Sequence, residues 1–335
     1  GHTGAADPPG AAGLAWIGFT SGSAGTPRPI GRTGASWLRS FPLVSELTGI
    51  SAGQRVLVGG SLASSLFLFG ALHALWAGAH VVIPARWEPA RLPATDVAHC
   101  VPAMLDDLAE APRPPRLVVC GGAALPDRVL AKAAARGIAV REYYGATELS
   151  FVAWRDPGGP LMPFPGVEVS LRAGEIWARS PYLSAGYANP AVTGPLRWDD
   201  EGFATVGDLG ALGPHGALAV LGRADGTILT GGSPVLPQDV ESVLAAVPGV
   251  REVVVTGTPH PQFGAVVTAV IEPADGAVVR LADLRAASRA RLAGPQRPRH
   301  WYVMRPLPRT ASGKPARGAI RAALESGALA ARRLV

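Results

Sequence analysis

The chain has 335 residues, of which 48% are hydrophobic and 17% are charged. This composition excludes a disordered protein, and the length suffices for about two domains with buried cores. The net charge of +6 comes mostly from scattered arginines, without the basic stripe interleaved with aromatic residues that indicates nucleic-acid binding. Cys100 and Cys120 are too few for a disulfide framework or a zinc site, so we expect two buried thiols in a cytoplasmic protein.

After a Pro- and Gly-rich segment over residues 1–13, which we expect to be flexible, strand-like and helix-like runs alternate. Strands are predicted at Leu14–Phe19, Arg55–Val58, His80–Ile83, Leu117–Cys120 and Ala139–Glu142. Helices are predicted at Ala35–Leu47, Pro102–Glu110 and Pro126–Arg136. Such alternation is typical of an α/β protein with a mainly parallel sheet.

The stretch from Leu66 to Ile83 has eighteen residues without a formal charge, which reaches the threshold for a membrane-spanning helix. However, His73 and His80 interrupt it, and Gly78 separates an Ala/Leu-rich half from a β-branched half. We therefore predict a helix, a turn and a strand here, and no membrane span.

Beyond residue 160 the pattern changes twice. Short strands with tight turns, which indicate a β-rich subdomain, are predicted at Gly166–Arg172, Gly174–Ala178 and Ala217–Leu221. A helix–strand–strand–helix–strand order follows at Pro237–Ala246, Val250–Gly257, Ala265–Glu272, Leu281–Leu292 and Trp301–Met304. We predict a large domain over residues 14–223 and a small, mobile α+β domain over residues 224–335, with a Gly-rich hinge near Asp225.

A segment dense in hydroxyls and glycines follows the first predicted strand. It consists of Thr20, Ser21, Gly22, Ser23, Ala24, Gly25, Thr26, Pro27 and Arg28. Glycines let backbone N–H groups approach phosphate oxygens, hydroxyls add donors, and an arginine adds charge. The segment lacks the Walker pattern, and taken alone it is more typical of an ordinary Ser/Gly loop.

Four further segments carry groups that could bind a nucleotide. Tyr143–Glu148 offers an aromatic face, a hydroxyl and a carboxylate suited to Mg²⁺, and Gly207–Gly210 places a carboxylate where it could accept from a ribose. Gly222–Asp225 contributes a guanidinium, and Pro308–Lys314 contributes a lysine in a turn-rich stretch. Taken alone, Tyr143–Glu148 is more typical of a structural turn, and a lysine placed like Lys314 is more typical of a solvated surface.

Together and in this order, the five segments resemble the adenylate-forming superfamily of acyl-CoA synthetases, peptide-synthetase adenylation domains and luciferases. Weaker matches at Val101-Pro102, Gly121-Gly122-Ala123 and Gly186-Tyr187 extend the resemblance over residues 14–325. The resemblance implies that residues 14–223 bind ATP and an acid, and that residues 224–335 form a lid domain with the catalytic lysine. A carboxylate would attack the α-phosphorus of ATP to give acyl-AMP and pyrophosphate, and a thiol would then displace AMP.

The resemblance also implies roles for individual residues. Catalytic roles fall to Lys314, Thr147 and Glu148, and Glu148 would also bind Mg²⁺. Nucleotide contacts would come from the loop residues Thr20 to Thr26, from Arg28, and from Gly122, Ala123, Tyr144, Gly145, Asp208 and Arg223. Asp225 would be the hinge, and Gly231 and Gly232 would line a channel for the thiol donor.

The chain also departs from the family. The phosphate loop stands much further along the chain in most members, so most of an N-terminal subdomain is missing here, and we expect this short form to be natural. Its layout is similar to that of short o-succinylbenzoate–CoA synthetases, with Gly222–Glu241 especially alike. Ala63-Ser64 replaces an aromatic–His pair that lines the family's acyl site, and Arg28 replaces a usual lysine.

The predicted acyl pocket is mostly apolar and consists of Ser64, Phe67, Val101, Gly121 and Phe151. It has no obvious carboxylate for an amino group, so a fatty, aryl or other uncharged-tail carboxylic acid is favoured. We predict an ATP- and Mg²⁺-dependent acyl-CoA synthetase. The alternatives are acyl loading onto the phosphopantetheine of an acyl carrier protein, or a non-catalytic nucleotide- or acyl-binding relative. A homodimer is expected if the missing subdomain exposes apolar surface.

Overall fold

The computed structural model describes residues 13–20, 28–223, 226–230, 233–310, 313–326 and 332–334. Several predictions fall outside these residues: the flexible segment up to residue 12, the loop from Ser21 to Thr26, the hinge at Asp225, and the channel residues Gly231 and Gly232. The described residues form two compact units. The first contains the chain up to Val220 together with Gly313 and Lys314, and the second contains Leu221–Thr310 and the chain from Pro315 onward.

The helices are α1 (Gly34–Leu38), α2 (Phe41–Thr48), α3 (Ser65–Trp76), α4 (Pro102–Leu108), α5 (Asp127–Ala135), α6 (Pro237–Ala245), α7 (Leu281–Arg291) and α8 (Arg317–Ser326). The strands up to residue 223 are β1 (Trp16–Thr20), β2 (Arg28–Arg32), β3 (Arg55–Val58), β4 (His80–Val82), β5 (Val97–Cys100), β6 (Leu117–Gly121), β7 (Ala139–Ala146), β8 (Ser150–Arg155), β9 (Met162–Pro163), β10 (Glu168–Arg172), β11 (Glu175–Arg179), β12 (Gly186–Tyr187), β13 (Arg197–Trp198), β14 (Ala204–Thr205), β15 (Asp208–Leu212) and β16 (Leu218–Arg223). The later strands are β17 (Ile228–Thr230), β18 (Ser233–Val235), β19 (Val250–His260), β20 (Gly264–Pro273), β21 (His300–Val303) and β22 (Arg332–Arg333).

A seven-stranded sheet in the order β4-β3-β5-β6-β7-β8-β9 dominates the first unit. Strands β3 to β7 are parallel, whereas β8 and β9 run antiparallel to their neighbours. Every residue of β5 and β6 is buried, as expected of parallel strands that helices cover on both faces. Cys100 and Cys120 are free, buried thiols that lie opposite each other in this sheet. The predicted α/β fold with a mainly parallel sheet is confirmed.

Two smaller antiparallel sheets complete the first unit. One has the order β1-β2-β12, and the other has the order β13-β14-β11-β15-β16 with β10 also paired to β11. The strands predicted after residue 160 correspond to β10, β11 and β16 in the second of these sheets, which confirms the β-rich character of this part of the chain.

One predicted helix was wrong in its extent. The run Ala35–Leu47 forms two helices, α1 and α2, that are separated at Arg39 and Ser40. Pro42 lies in the first turn of α2, and a proline in the middle of one longer helix would clash with the carbonyl four residues earlier. By contrast, the stretch from Leu66 to Ile83 forms α3, a turn and β4 as predicted.

The second unit has a sheet in the order β18-β17-β20-β21-β22, with β19 paired to β20. The predicted order of helix, strand, strand, helix and strand appears as α6, β19, β20, α7 and β21. Helix α8 was not predicted. Arg317 in α8 donates to both carboxylate oxygens of Glu241 in α6 at 2.6 Å. Among the described residues, no helix is long and apolar enough to cross a membrane.

Candidate active site

The segment Tyr143–Glu148, one of the five that resemble the family, includes the end of β7 and leads into β8. A backbone hydrogen bond closes residues 146–149 at 3.1 Å, so Thr147 and Glu148 are the two central residues of a β-turn. A Cβ on Gly145 would lie only 2.0 Å from the carbonyl oxygen of Ser150, so a larger residue there requires the backbone to move. The turn places a hydroxyl and a carboxylate at the carboxyl end of a parallel strand, where open α/β sheets bind ligands.

Two residues that are distant in the chain hold Thr147. The Nε and Nη2 atoms of Arg32 donate to its carbonyl oxygen at 3.1 and 2.8 Å. Its hydroxyl lies 2.9 Å from the hydroxyl of Ser65, within hydrogen-bond distance. The carbonyl of Glu148 accepts from the amide of Ser184 at 2.9 Å, and Glu148 is only 4% exposed. Both central carbonyls of the turn are therefore bonded.

Arg32 is a buried cation in β2, only 1% exposed. Its Nη1 atom donates to the carbonyl of Tyr182 at 2.8 Å and to the hydroxyl of Ser36 at 3.2 Å, and its guanidinium lies 5.5 Å from the ring centre of Trp37. Burial lowers the pKa of Arg32 from 12.5 to about 9, and the negative charge of Glu148 opposes this shift. The guanidinium is therefore protonated at pH 7.

Sequence reasoning missed both Arg32 and Ser65. The available signal for Arg32 was an arginine at the end of a short strand whose last three residues are buried. Ser65 begins α3, and serine near a helix start is too common to attract attention by itself.

The predicted adenine and ribose residues lie together. The hydroxyl of Tyr144 donates to a carboxylate oxygen of Asp208 at 2.7 Å. Asp208 is 8% exposed and begins β15 directly after Gly207, whose φ of +78° favours glycine. Arg223 ends β16, but its side chain lies outside the described part of the structure.

Lys314 lies against the predicted adenine-binding loop. Gly122 follows β6 with a φ of +89°, and a Cβ placed on it would lie 2.9 Å from Lys314 Nζ and 3.4 Å from a methyl group of Leu66. The lysine ammonium group is therefore close to the carboxyl end of β6, the strand beside β7. The neighbouring Ala123 is exposed.

Two residues of the predicted acyl pocket belong to α3 or its N-terminal cap, and a third, Val101, is the N-cap residue of α4. Ser64 is the N-cap residue of α3, and Phe67 is fully buried in the first half of that helix. Phe67 and Val101 belong to one small apolar cluster that also contains Val58. A Cβ on Gly313 would lie 3.6 Å from Val101, so the residue before the lysine borders this cluster.

The other two predicted pocket residues border an aromatic cluster. A Cβ on Gly121 would lie 2.4 Å from the ring of Tyr143, whose pKa is raised by burial. Phe151 is 5% exposed, and its ring centre lies 4.7 Å from that of Tyr143 and 4.9 Å from that of Phe69. Their role as acyl contacts stays a prediction.

The two ends of the predicted phosphate loop are paired with each other. Thr20 and Arg28 are paired in the antiparallel register of β1 and β2. The residues at which the predicted loop begins and ends are therefore neighbours in the sheet. Arg28 is half-buried, and a Cβ on Gly194 would lie 2.8 Å from its Cδ atom. The side chain of Thr20 lies outside the described residues.

The chain matches the family model described as "AMP-binding enzyme" over residues 2–188 and that of the "AMP-binding enzyme C-terminal domain" over residues 239–314. It is 33% identical to an uncharacterized acyl–CoA ligase, YhfT, of Bacillus subtilis, over 92% of this chain and 68% of that protein. It is 39% identical to a probable 2-succinylbenzoate–CoA ligase of Mycobacterium tuberculosis, over 61% of this chain and 52% of that protein.

Among solved structures, an E. coli MenE variant with bound OSB-AMS superposes with a TM-score of 0.83 and 28% identity, over 93% of this chain and 69% of MenE. The chain thus spans between about half and about two thirds of the length of these three proteins. The predicted class of enzyme, an AMP-forming acid–CoA ligase, is confirmed at the level of the family. This chain belongs to the family of AMP-binding enzymes.

Proposed function

We propose that this chain uses ATP to convert a carboxylic acid into an acyl adenylate, and that it then transfers the acyl group to the thiol of CoA. The observation that supports this most strongly is the convergence of three groups at two neighbouring strand ends. Lys314 lies at Gly122 beyond β6, and Thr147 and Glu148 form the turn beyond β7. A cation, a hydroxyl donor and a carboxylate are the groups that a phosphate-transfer site requires.

Each group has a distinct chemical task in this proposal. Lys314 stabilises the negative charge that develops between the attacking carboxylate and the α-phosphate, because a fixed ammonium group in a partly dry site lowers that barrier. Thr147 donates a hydrogen bond to the α-phosphate. Tyr144 stacks on the adenine, and Asp208 accepts from the ribose hydroxyls while it holds the Tyr144 hydroxyl.

Glu148 fits the role of a magnesium ligand. In nucleotide sites, Mg²⁺ is commonly held by one or two carboxylates together with substrate phosphates. Glu148 supplies one buried carboxylate, and the described residues contain no group of three or more His, Cys, Asp or Glu side chains that could hold a metal ion. When bound, Mg²⁺ neutralises the charge of the pyrophosphate leaving group.

The acid is proposed to have an apolar body. Phe67, Val101 and Phe151 are 0%, 2% and 5% exposed, so the predicted acyl site is surrounded by packed hydrocarbon and aromatic side chains. Apolar surroundings of this kind favour an aryl or fatty carboxylic acid over an amino acid, because they would desolvate its ammonium group.

The test measures pyrophosphate release from ATP and Mg²⁺ across a panel of aryl, fatty and amino acids, with and without CoA. Release with one acid class, accelerated by CoA and accompanied by a thioester, is the expected result. Release that is indifferent to CoA points to a carrier protein as the acceptor. If no acid leads to pyrophosphate release, the proposal is wrong for this chain and the non-catalytic alternative gains support.

Lys314→Ala is the matched variant for this assay. Loss of one transition-state donor costs on the order of 100- to 1,000-fold in rate. We expect that loss in pyrophosphate release, with an unchanged thermal midpoint. A near wild-type rate would remove Lys314 from the mechanism.

The expected homodimer stays a prediction. Leu38, Leu72, Leu75 and Trp76 are exposed by 41–60%, and these apolar side chains on α1 and α3 offer surface that a second copy could cover. Light scattering that gives the mass of one chain at micromolar concentration would exclude the dimer.

A further inference from the structure

The β-turn at residues 146–149 has two central carbonyls that need hydrogen-bond donors. Its two central carbonyls lie outside the strand pairing of β7 and β8, and an unbonded carbonyl in a buried site is costly. The amide of Ser184 satisfies the carbonyl of Glu148. The carbonyl of Thr147 instead receives two donors from one side chain, Arg32, which lies 115 residues earlier in the chain.

Burying the Arg32 guanidinium to satisfy this carbonyl is unfavourable by itself. Placing a cation in the interior carries a large desolvation cost, whereas a neutral amide would satisfy a carbonyl more cheaply. Hydrogen bonds from the three guanidinium nitrogens to Thr147, Tyr182 and Ser36 offset part of this desolvation cost. The planar guanidinium with its fixed fork of donors also holds the turn in one orientation, which a single-donor group would not do.

Ser65 holds the side chain of Thr147, whereas Arg32 holds its backbone carbonyl. Its hydroxyl lies 2.9 Å from that of Thr147, and Ser65 is held in place because it begins the twelve-residue helix α3. The hydroxyl of Thr147 is therefore oriented from one side, while its carbonyl is held from the other. Both contacts lie within the first unit and connect the turn to β2 and α3.

We propose that Arg32 and Ser65 are positioning residues that clamp Thr147 so that its hydroxyl and the Glu148 carboxylate face the phosphates and metal of bound ATP. This inference rests on the proposed function, because it assigns the turn to triphosphate binding. Arg32 acts through the Thr147 carbonyl and Ser65 through the Thr147 hydroxyl. Neither residue is proposed to touch the substrate.

The test uses ligands that do not require the acid to be known. Wild type, Arg32→Met, Arg32→Lys and Ser65→Ala are titrated calorimetrically with α,β-methylene-ATP and Mg²⁺, and separately with adenosine. Amide hydrogen exchange of residues 144–150 is measured without ligand. Arg172→Met and Ser40→Ala are the controls. Arg172 also stacks on an aromatic ring in the first unit, and Ser40 is a buried serine whose hydroxyl donates to the carbonyl of Trp37.

We expect Arg32→Met to weaken binding of the ATP analogue by about 10- to 100-fold, the range for loss of a hydrogen bond from a charged donor. Ser65→Ala should weaken it by about 2- to 10-fold, the range for a neutral bond. Adenosine binding should stay within twofold of wild type in both variants, because a positioning defect affects only the phosphates. Exchange should accelerate in residues 146–149 alone, and Arg32→Lys should recover part of the loss.

Equal weakening of adenosine and the analogue would identify a general folding defect and overturn the inference. Binding and exchange like those of wild type in a folded Arg32→Met protein would also overturn it. If Arg32→Met does not fold, Ser65→Ala and Arg32→Lys decide by the same criteria. Wild type that binds neither ligand would contradict the proposed function, and the clamp would then be judged by amide exchange alone.

Discussion

Acid pH is expected to weaken this fold through two buried histidines. His99 lies on β5 and is 2% exposed, and His73 lies on α3 and is fully buried. Burial lowers the pKa of His99 to about 3 and that of His73 to about 4. An unfolded histidine has a pKa of about 6.5, so below that pH the unfolded chain binds protons that the folded protein excludes. Stability therefore falls as the pH drops from 6.5 toward 4.

The size of the effect follows from linkage. Each histidine contributes a slope of about 1.4 kcal/mol per pH unit between its unfolded and folded pKa values. From pH 7 to pH 5 each one removes about 2 kcal/mol from the free energy of unfolding, and the pair removes about 4 kcal/mol. A His99→Leu variant cannot bind this proton. Its free energy of unfolding should therefore gain about 2 kcal/mol relative to wild type over the same interval.

The assay is urea unfolding at pH 7 and pH 5, followed by tryptophan fluorescence and extrapolated to zero denaturant. Leu105→Ala is the control, because Leu105 on α4 is fully buried in an apolar cluster that also contains Ala98 and Cys100 of β5, and it carries no titrating group. Its difference from wild type should be the same at both pH values. If the His99→Leu difference also stays constant within about 0.5 kcal/mol, His99 does not exclude a proton on folding and the reasoning fails.

Two further predictions concern the candidate site. Tyr144→Phe removes a hydrogen bond to the Asp208 carboxylate, so calorimetric affinity for an ATP analogue should fall by about tenfold. Tyr182→Phe, which loses a hydroxyl bond to a backbone carbonyl, should leave that affinity unchanged, and equal losses would contradict the ribose assignment. Gly145→Ala places a methyl group 2.0 Å from the Ser150 carbonyl and should destabilise the protein by about 1–3 kcal/mol. Urea unfolding identical to wild type would show that the turn accommodates it.

The class of fold and most of the regular elements could be predicted from the pattern of residue types alone. β3 was predicted residue for residue, and β6 lacked only its last residue, because strands buried on both faces appear as uninterrupted apolar runs. The helix-to-strand change at Gly78 was visible as a change of residue type. The motif residues Tyr144, Thr147 and Lys314 were also found from sequence, because their residue types and order carry the resemblance to the family.

The tertiary structure decided which of these residues meet and what holds them. Thr147 is bonded to Arg32 across 115 residues and to Ser65 across 82 residues, and no local pattern encodes a contact at that separation. The close approach of the Lys314 side chain to Gly122 also joins residues that are far apart in the chain. Local periodicity indicates where a strand lies and which of its faces is apolar. The hydrogen bonds of Thr147 to Arg32 and Ser65 depend instead on how β2, α3 and the turn after β7 pack together, which happens only when the chain folds. For that reason the residue types of the candidate site could be predicted from the sequence, whereas the buried cation that bonds to Thr147 could not.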